Sequence, residues 1–194
     1  MKQVAIIDYG AGNVQSVQFA FERLGIQSVV TSDSSEIQSA SHVIFPGVGH
    51  AKAAKSHLIE AGLIDVIKTL NQPVLGICLG MQLLCNQTEE GPTKGLQIFD
   101  TSVVKFDVDL KVPAVGWAPV KSKNHPLFER LDNEQFYFVH SYYAQVSEQT
   151  IGLADYKISY SAALANKNFL GVQFHPERSG KAGEQLLTNF LKLS

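Results

Sequence analysis

Val74-Leu75-Gly76-Ile77-Cys78-Leu79-Gly80-Met81-Gln82-Leu83-Leu84 passes from a short apolar run directly into a helical pattern. Residues 74–77 have the length of a buried strand, and 79–85 read as a helix immediately after it. Cys78 stands at the junction, with Gly76 and Gly80 two residues to either side. That is the spacing of a nucleophile elbow, a turn so tight that side chains at the flanking positions would collide. The helix N-terminus at the cysteine favours its thiolate, because unpaired backbone N–H groups point toward it. The same groups can hold a developing oxyanion, with the Leu79 N–H as the natural donor. A lone cysteine at a strand end is more often a small buried hydrophobe; the two glycines favour the nucleophile. Cys85, on the apolar side of the pattern beside Leu84, keeps the buried role.

Strand and helix alternate on the N-terminal side of this junction. Residues 3–8 read as a short buried strand. Residues 13–24 follow as a helix, with Val14, Val17, Phe21 and Leu24 at helical spacing and Gly25 as its stop. A β-branched run at 26–30 is the second strand, and Asp33 three residues before Glu36 marks a helix start. Residues 42–45 form a third strand ending at Pro46, followed by helices at 51–61 and 63–70 with a break near Gly62. Such alternation specifies a parallel sheet with helices on its faces.

Beyond the junction the pattern changes to strands in quick succession, at 96–99, 103–106, 112–117, 135–146, 151–156, 160–164 and 169–174. Residues 135–139 are aromatic and β-branched without clean polar alternation, which predicts cover on both faces. A closing helix spans 182–193, with Leu186, Leu187, Phe190 and Leu191 on one stripe. No repeat, low-complexity tract or linker is evident. The expectation is one α/β domain over residues 1–194: an open, mostly parallel sheet with helices on both faces and antiparallel strands added in the second half. Its functional loops belong at the carboxyl ends of the parallel strands.

Composition narrows the function classes. The chain has 194 residues, 45% of them hydrophobic and 18% charged, and a formal net charge of -2. That is globular composition, long enough to hold a core without disulfide staples. No excess of positive charge advertises a nucleic-acid or anionic-membrane surface. The apolar run 4–7 stops at Asp8, too short for a signal peptide, and no window approaches a membrane span. The two cysteines are seven residues apart on or near one helix, about 10 Å between Cα atoms. Disulfides need about 7 Å or less, and two unpaired thiols suit a reducing compartment. A cytoplasmic protein is expected.

A cysteine nucleophile needs a base, and the base an orienting group. Of six histidines, His42 begins a strand, His57 lies in a helix with a solvated face, His125 precedes Pro126 in a turn, and His50 follows a glycine loop. His140 follows an aromatic run; it can line a site, but a structural role weighs more. His175 differs. It ends the last strand, and Pro176 holds the backbone extended before Glu177. In an extended chain residues i and i+2 point the same way, so the Glu177 carboxylate can reach the imidazole and fix its tautomer. Pro46-Gly47-Val48-Gly49 is either an ordinary turn or a flexible backbone segment able to aim an N–H at the reaction centre. An open parallel sheet puts that loop at the same edge as the elbow.

These residues carry a family resemblance. The whole chain resembles the glutaminase subunits of imidazole glycerol phosphate synthase, among the class I (triad) glutamine amidotransferases, which have a flavodoxin-like fold. The resemblance rests on Tyr9-Gly10-Ala11-Gly12-Asn13, Pro46-Gly47-Val48-Gly49, Gly76–Gln82, His140-Ser141-Tyr142, Phe174-His175-Pro176-Glu177 and Ser179-Gly180. It implies that Cys78 attacks the side-chain amide of L-glutamine, His175 carries the proton to the leaving ammonia, and Glu177 holds His175. It implies an oxyanion hole from the backbone at Val48 and Leu79, and substrate contacts from Gly47, Gln82, Ser141 and Tyr142.

The resemblance further implies a separate (β/α)₈-barrel cyclase subunit, in a heterodimer. That subunit would use the ammonia to make imidazole glycerol phosphate and aminoimidazole carboxamide ribotide in histidine biosynthesis. A barrel of ~250 residues does not fit in this chain. No metal or organic cofactor is implied, and no Cys/His cluster at zinc spacing or phosphate loop is present. Two stretches depart from the family pattern. Pro113-Ala114-Val115-Gly116-Trp117-Ala118 has alanines where His and Asn are usual, in a segment associated with the partner-facing side. Gly95-Leu96-Gln97-Ile98 lacks a second glycine. The changes at Ala114 and Ala118 keep open a triad amidotransferase serving a different synthase, and, because fold alone does not establish activity, a catalytically silent regulatory subunit is the other alternative.

Overall fold

The computed structural model describes residues 3–194. Its first half runs β1 (Val4–Ile7), α1 (Val14–Arg23), β2 (Ser28–Thr31), α2 (Ser34–Ser39), β3 (His42–Gly47), α3 (Ala51–Glu60), α4 (Leu63–Lys68), β4 (Val74–Cys78) and α5 (Leu79–Leu84). The second half runs β5 (Cys85–Thr88), β6 (Thr93–Lys94), β7 (Phe99–Lys105), β8 (Ala114–Pro119), β9 (Lys121–Ser122), β10 (Gln135–His140) and β11 (Tyr142–Ala144). It ends with β12 (Thr150–Tyr156), β13 (Ile158–Asn166), β14 (Phe169–Val172) and α6 (Gly180–Phe190), with 3-10 turns at Pro126–Phe128 and Pro176–Arg178.

One large sheet carries the α/β architecture expected from the alternation. Strands β2, β1, β3, β4 and β14 lie side by side and parallel. The second half adds β13 antiparallel to β14, and the sheet continues through β11, β7, β5 and β6, with β12 and β9 branching from β13. Successive side chains of a strand face opposite ways, so a strand buried throughout must be covered on both faces. All four residues of β1 are buried. Val4 and Ile6 pack with Val17 and Phe21 of α1 and Leu186, Leu187 and Phe190 of α6. Ala5 and Ile7 face the other way, into a core with Ile37 of α2, Leu58 of α3 and Ile67 of α4. Burying each large aliphatic side chain stabilises by roughly 1.5–3 kcal/mol.

The helix starts obey local chemistry. The Asn13 side chain accepts from Ser16 N at the start of α1. The Asp33 carboxylate accepts from Ser35 N and Glu36 N at 2.8 and 3.0 Å, as its spacing predicts.

Five local expectations are corrected. The helix after Cys78 ends at Leu84, because Cys85 turns extended (φ −71°, ψ 176°) and begins β5. The strand expected at 96–99 begins only at Phe99, since Gln97 takes a positive φ of 61° that strand pairing does not allow. The single strand expected over 135–146 divides at Ser141. β10 pairs with β8 in a separate two-stranded sheet, whereas β11 joins the large one. Burial along β10 alternates, with Phe136, Phe138 and His140 inside, so its two faces are not equally covered. The closing helix is α6, starting two residues early at Gly180.

Register positions the site. Gly47 of β3 pairs with Cys78 of β4, and Val172 of β14 pairs with Ile77. The loop after β3 and the stretch after β14 therefore arrive together at the carboxyl end of β4.

Candidate active site

The elbow is a backbone feature first. Cys78 takes φ 54° and ψ −111°, a conformation that ordinarily costs a side-chain-bearing residue about 1–3 kcal/mol and persists only where the surroundings impose it. The imposition comes from close backbone packing. A Cβ on Gly80 would run into the Phe45 carbonyl oxygen, and one on Gly47 would lie 2.6 Å from Gly80 N. Glycine at both positions lets β3 press against the first turn of α5.

His175 Nδ1 lies 2.8 Å from Glu177 Oε1, with both side chains buried. The carboxylate can only accept, so the ring proton sits on Nδ1. The other nitrogen, Nε2, is buried and has no hydrogen-bond partner, and the Cys78 side chain adjoins the ring. Burial disfavours the charged ring, but Cys78 and Glu177 outweigh it and push the imidazole pKa up to about 10. The expected contact is present, but not through an extended chain. Pro176–Arg178 is a 3-10 turn closed by Arg178 N donating to His175 O at 3.0 Å. Proline suits the first position of such a turn because its missing N–H would be unpaired there anyway. Tyr137 O accepts from His175 N at 2.9 Å, and Ser179 Oγ donates to His175 O at 2.6 Å, fixing the backbone under the ring.

A cavity of about 300 Å³ opens over these groups, lined by Val48, Gly49, Cys78, Leu79, Gln82, Glu90, Ser141, Tyr142, His175 and Glu177 among others. Of the site residues expected from the sequence, Gly47 alone does not line it, being packed beneath the elbow. Tyr9 OH donates to Pro46 O at 2.8 Å and ties down the loop that carries Val48. A positioned thiol, a paired imidazole–carboxylate and backbone on the far wall are the parts acyl transfer requires.

A family model described as glutamine amidotransferase class-I matches residues 5–193. The chain belongs to the class I glutamine amidotransferases. Curated relatives named imidazole glycerol phosphate synthase subunit HisH agree. That of Bacteroides fragilis is 50% identical over 195 residues, covering 98% of this chain and 100% of the relative. That of Haemophilus influenzae is 47% identical over 195 residues, covering 99% and 98%. The solved structure of PurLQS from Thermotoga maritima superposes with a TM-score of 0.75 at 17% identity, covering 99% of each chain, a likeness of fold.

This class I amidotransferase also holds site residues that spacing did not reveal. Glu90 lines the cavity while its Oε2 accepts from Ala51 N at 2.8 Å. His140 is both structural and cavity-lining: Nδ1 donates to Tyr142 O at 2.8 Å, and Nε2 lies 3.3 Å from Tyr160 OH. Burial, and then the nearby His175, push its pKa down to about 4 against the pull of the Tyr142 carbonyl, so the ring is neutral. Gln173, wholly buried, has Nε2 3.7 Å from Cys78 Sγ. Its position two residues before His175 was the one available signal. Among the described residues no group of His, Cys, Asp and Glu is arranged to hold a metal, and no helix is long and apolar enough to cross a membrane.

Proposed function

We propose that the chain is the glutaminase subunit of an imidazole glycerol phosphate synthase. The observation that carries this is the buried His175–Glu177 pair beside Cys78 at the elbow, in a chain about half identical to HisH subunits along nearly its full length. Protonated His175 holds the thiol's proton as Cys78 Sγ attacks the side-chain carbonyl carbon of L-glutamine. The carbonyl oxygen becomes an oxyanion held by the backbone N–H groups of Leu79 and Val48. The tetrahedral intermediate collapses by expelling ammonia, which leaves with the proton from His175. Water, activated by the now neutral His175, hydrolyses the glutamyl thioester and releases glutamate. Gln82, Ser141 and Tyr142 bind the substrate's polar groups, and the Glu90 carboxylate offers a counter-charge for its α-ammonium.

The ammonia serves a separate (β/α)₈-barrel cyclase in a cytoplasmic heterodimer, and residues 1–194 act as one amidotransferase domain. Val115 and Trp117 support such a partner surface: both are exposed on β8, directly after the cavity-lining Pro113. A silent subunit is disfavoured because nucleophile, base and orienting carboxylate are all present and adjacent. Glutamate release measured with and without the substitution Cys78→Ala tests the reaction: its loss supports the proposal, and its survival removes it.

A further inference from the structure

Gln173 takes no part in the reaction described above, yet its side chain is wholly buried against the nucleophile. β14 lies parallel to β4 with Val172 opposite Ile77, so the next residue along comes level with Cys78. Its carboxamide orientation follows from a chain of contacts that begins at a backbone carbonyl. Tyr142 O can only accept, so the Gln82 atom 3.0 Å from it is the amide nitrogen. That same nitrogen lies 2.9 Å from the Gln173 side chain, which must present its oxygen there. The other end of Gln173, the NH₂ group, then faces Cys78 Sγ at 3.7 Å, a length suited to a sulfur acceptor. Both Gln82 amide protons are committed, which keeps Gln173 from turning over.

We propose that Gln173 is a further catalytic residue, whose Nε2–H donates to Cys78 Sγ and stabilises the thiolate before attack and again when the thioester is cleaved. Gln82 acts on it as a positioning residue through the Nε2–Oε1 bond. Gln173 is neutral, so it stabilises the anion without adding a charge that would compete with Glu177 for the imidazolium. The other ionisable groups around the sulfur are His175 and Glu177 from the turn after β14 and Tyr9 from the loop after β1. Glu90, His140 and Arg178 stand farther around the cavity wall. None of these is altered by a change at position 173.

The inference rests on Cys78 being the nucleophile, and its test separates the two. The full-length chain is treated with iodoacetamide across a range of pH, and alkylation of Cys78 is followed by mass spectrometry. The Gln173→Met variant keeps the volume and loses the donor. At pH 7 its alkylation is expected to fall about tenfold, the scale of one hydrogen bond to a charged group, and to recover at alkaline pH. Unchanged alkylation in the folded variant overturns the role of Gln173 and leaves the glutaminase reaction standing; glutamate release that survives Cys78→Ala removes the reaction and the catalytic role of Gln173 with it, whatever the alkylation shows. The unsubstituted chain gives a second readout that does not depend on a variant's folding. With ¹⁵N in the glutamine side chains, the Gln173 NH₂ signals should move with the same pH midpoint as the alkylation profile and shift once Cys78 is carboxamidomethylated. Signals indifferent to both contradict the inference.

Discussion

His140 donates its Nδ1–H to the carbonyl oxygen of Tyr142, 2.8 Å away and two residues along the same chain. The bond spans Ser141, where the chain leaves the small sheet for the large one. It therefore fixes the segment proposed to hold the glutamine backbone groups, and it does so with a neutral ring. Because burial holds the folded pKa near 4 against an ordinary 6.5, the unfolded chain takes up this proton first as pH falls.

His140→Phe should accordingly change two things. The stability lost between about pH 6.5 and pH 4, on the order of 3 kcal/mol for a shift of this size, should largely disappear from the pH profile of chemical unfolding. The KM for glutamine should rise several-fold with a smaller change in kcat, because the Ser141–Tyr142 segment loses its anchor. An acid limb identical to that of the unsubstituted chain would contradict the assignment of a neutral, buried His140.

Glu177→Gln keeps the shape of the triad and removes its charge. Glutaminase turnover should fall about 10²–10⁴-fold, the range for disabling a general acid–base pair. The pH dependence carries the sign. His175 is raised to about 10 in the folded chain, so its protonated form contributes stability that is fully present below pH 6.5 and is lost as pH rises through about 10. Removing the carboxylate should shift that loss, and the alkaline limb of turnover, to lower pH. Matching alkaline limbs in both proteins would show that Glu177 does not hold the proton on His175.

Gly80→Ala tests the elbow itself. The new methyl group would meet the Phe45 carbonyl oxygen, which is backbone within β3 and cannot swing aside. A loss of about 3 kcal/mol or more is expected, at the severe end for overpacking, together with loss of glutaminase activity. Thermal unfolding compared with the unsubstituted chain reads this directly; an unaltered midpoint would mean that β3 and α5 are not pressed together as described.

The parts of this molecule legible in its sequence are those fixed by local chemistry. Gly76 beside Cys78, the Asp33 cap and the His-Pro-Glu run each determine structure within a few residues; Gly80 was legible from its spacing, although what its missing side chain makes room for is Phe45 of β3. Strands β1, β3 and β4 were legible because full burial leaves a largely apolar run. What was not legible depends on partners distant in the chain. Gln173 reaches Cys78 across 95 residues and Gln82 across 91, and neither spacing leaves a periodic trace. The break at Ser141 was hidden because aromatic and β-branched residues continue through it, although the two halves pair with different sheets. The His175–Glu177 contact was anticipated from an extended chain and is made by a 3-10 turn, since both geometries bring residues two apart within reach.

The Cys78–His175–Glu177 site is proposed to make ammonia for a separate cyclase rather than for solution. This role is tested most directly by glutamate release from glutamine, measured with the chain alone and again with a (β/α)₈-barrel cyclase subunit and its ribulosyl nucleotide ligand. Slow release is expected from the chain alone and strong stimulation in the complex, as binding shifts the loop at Val48 into its competent state. Equal turnover in both conditions would contradict it, leaving a glutaminase whose partner is a different synthase.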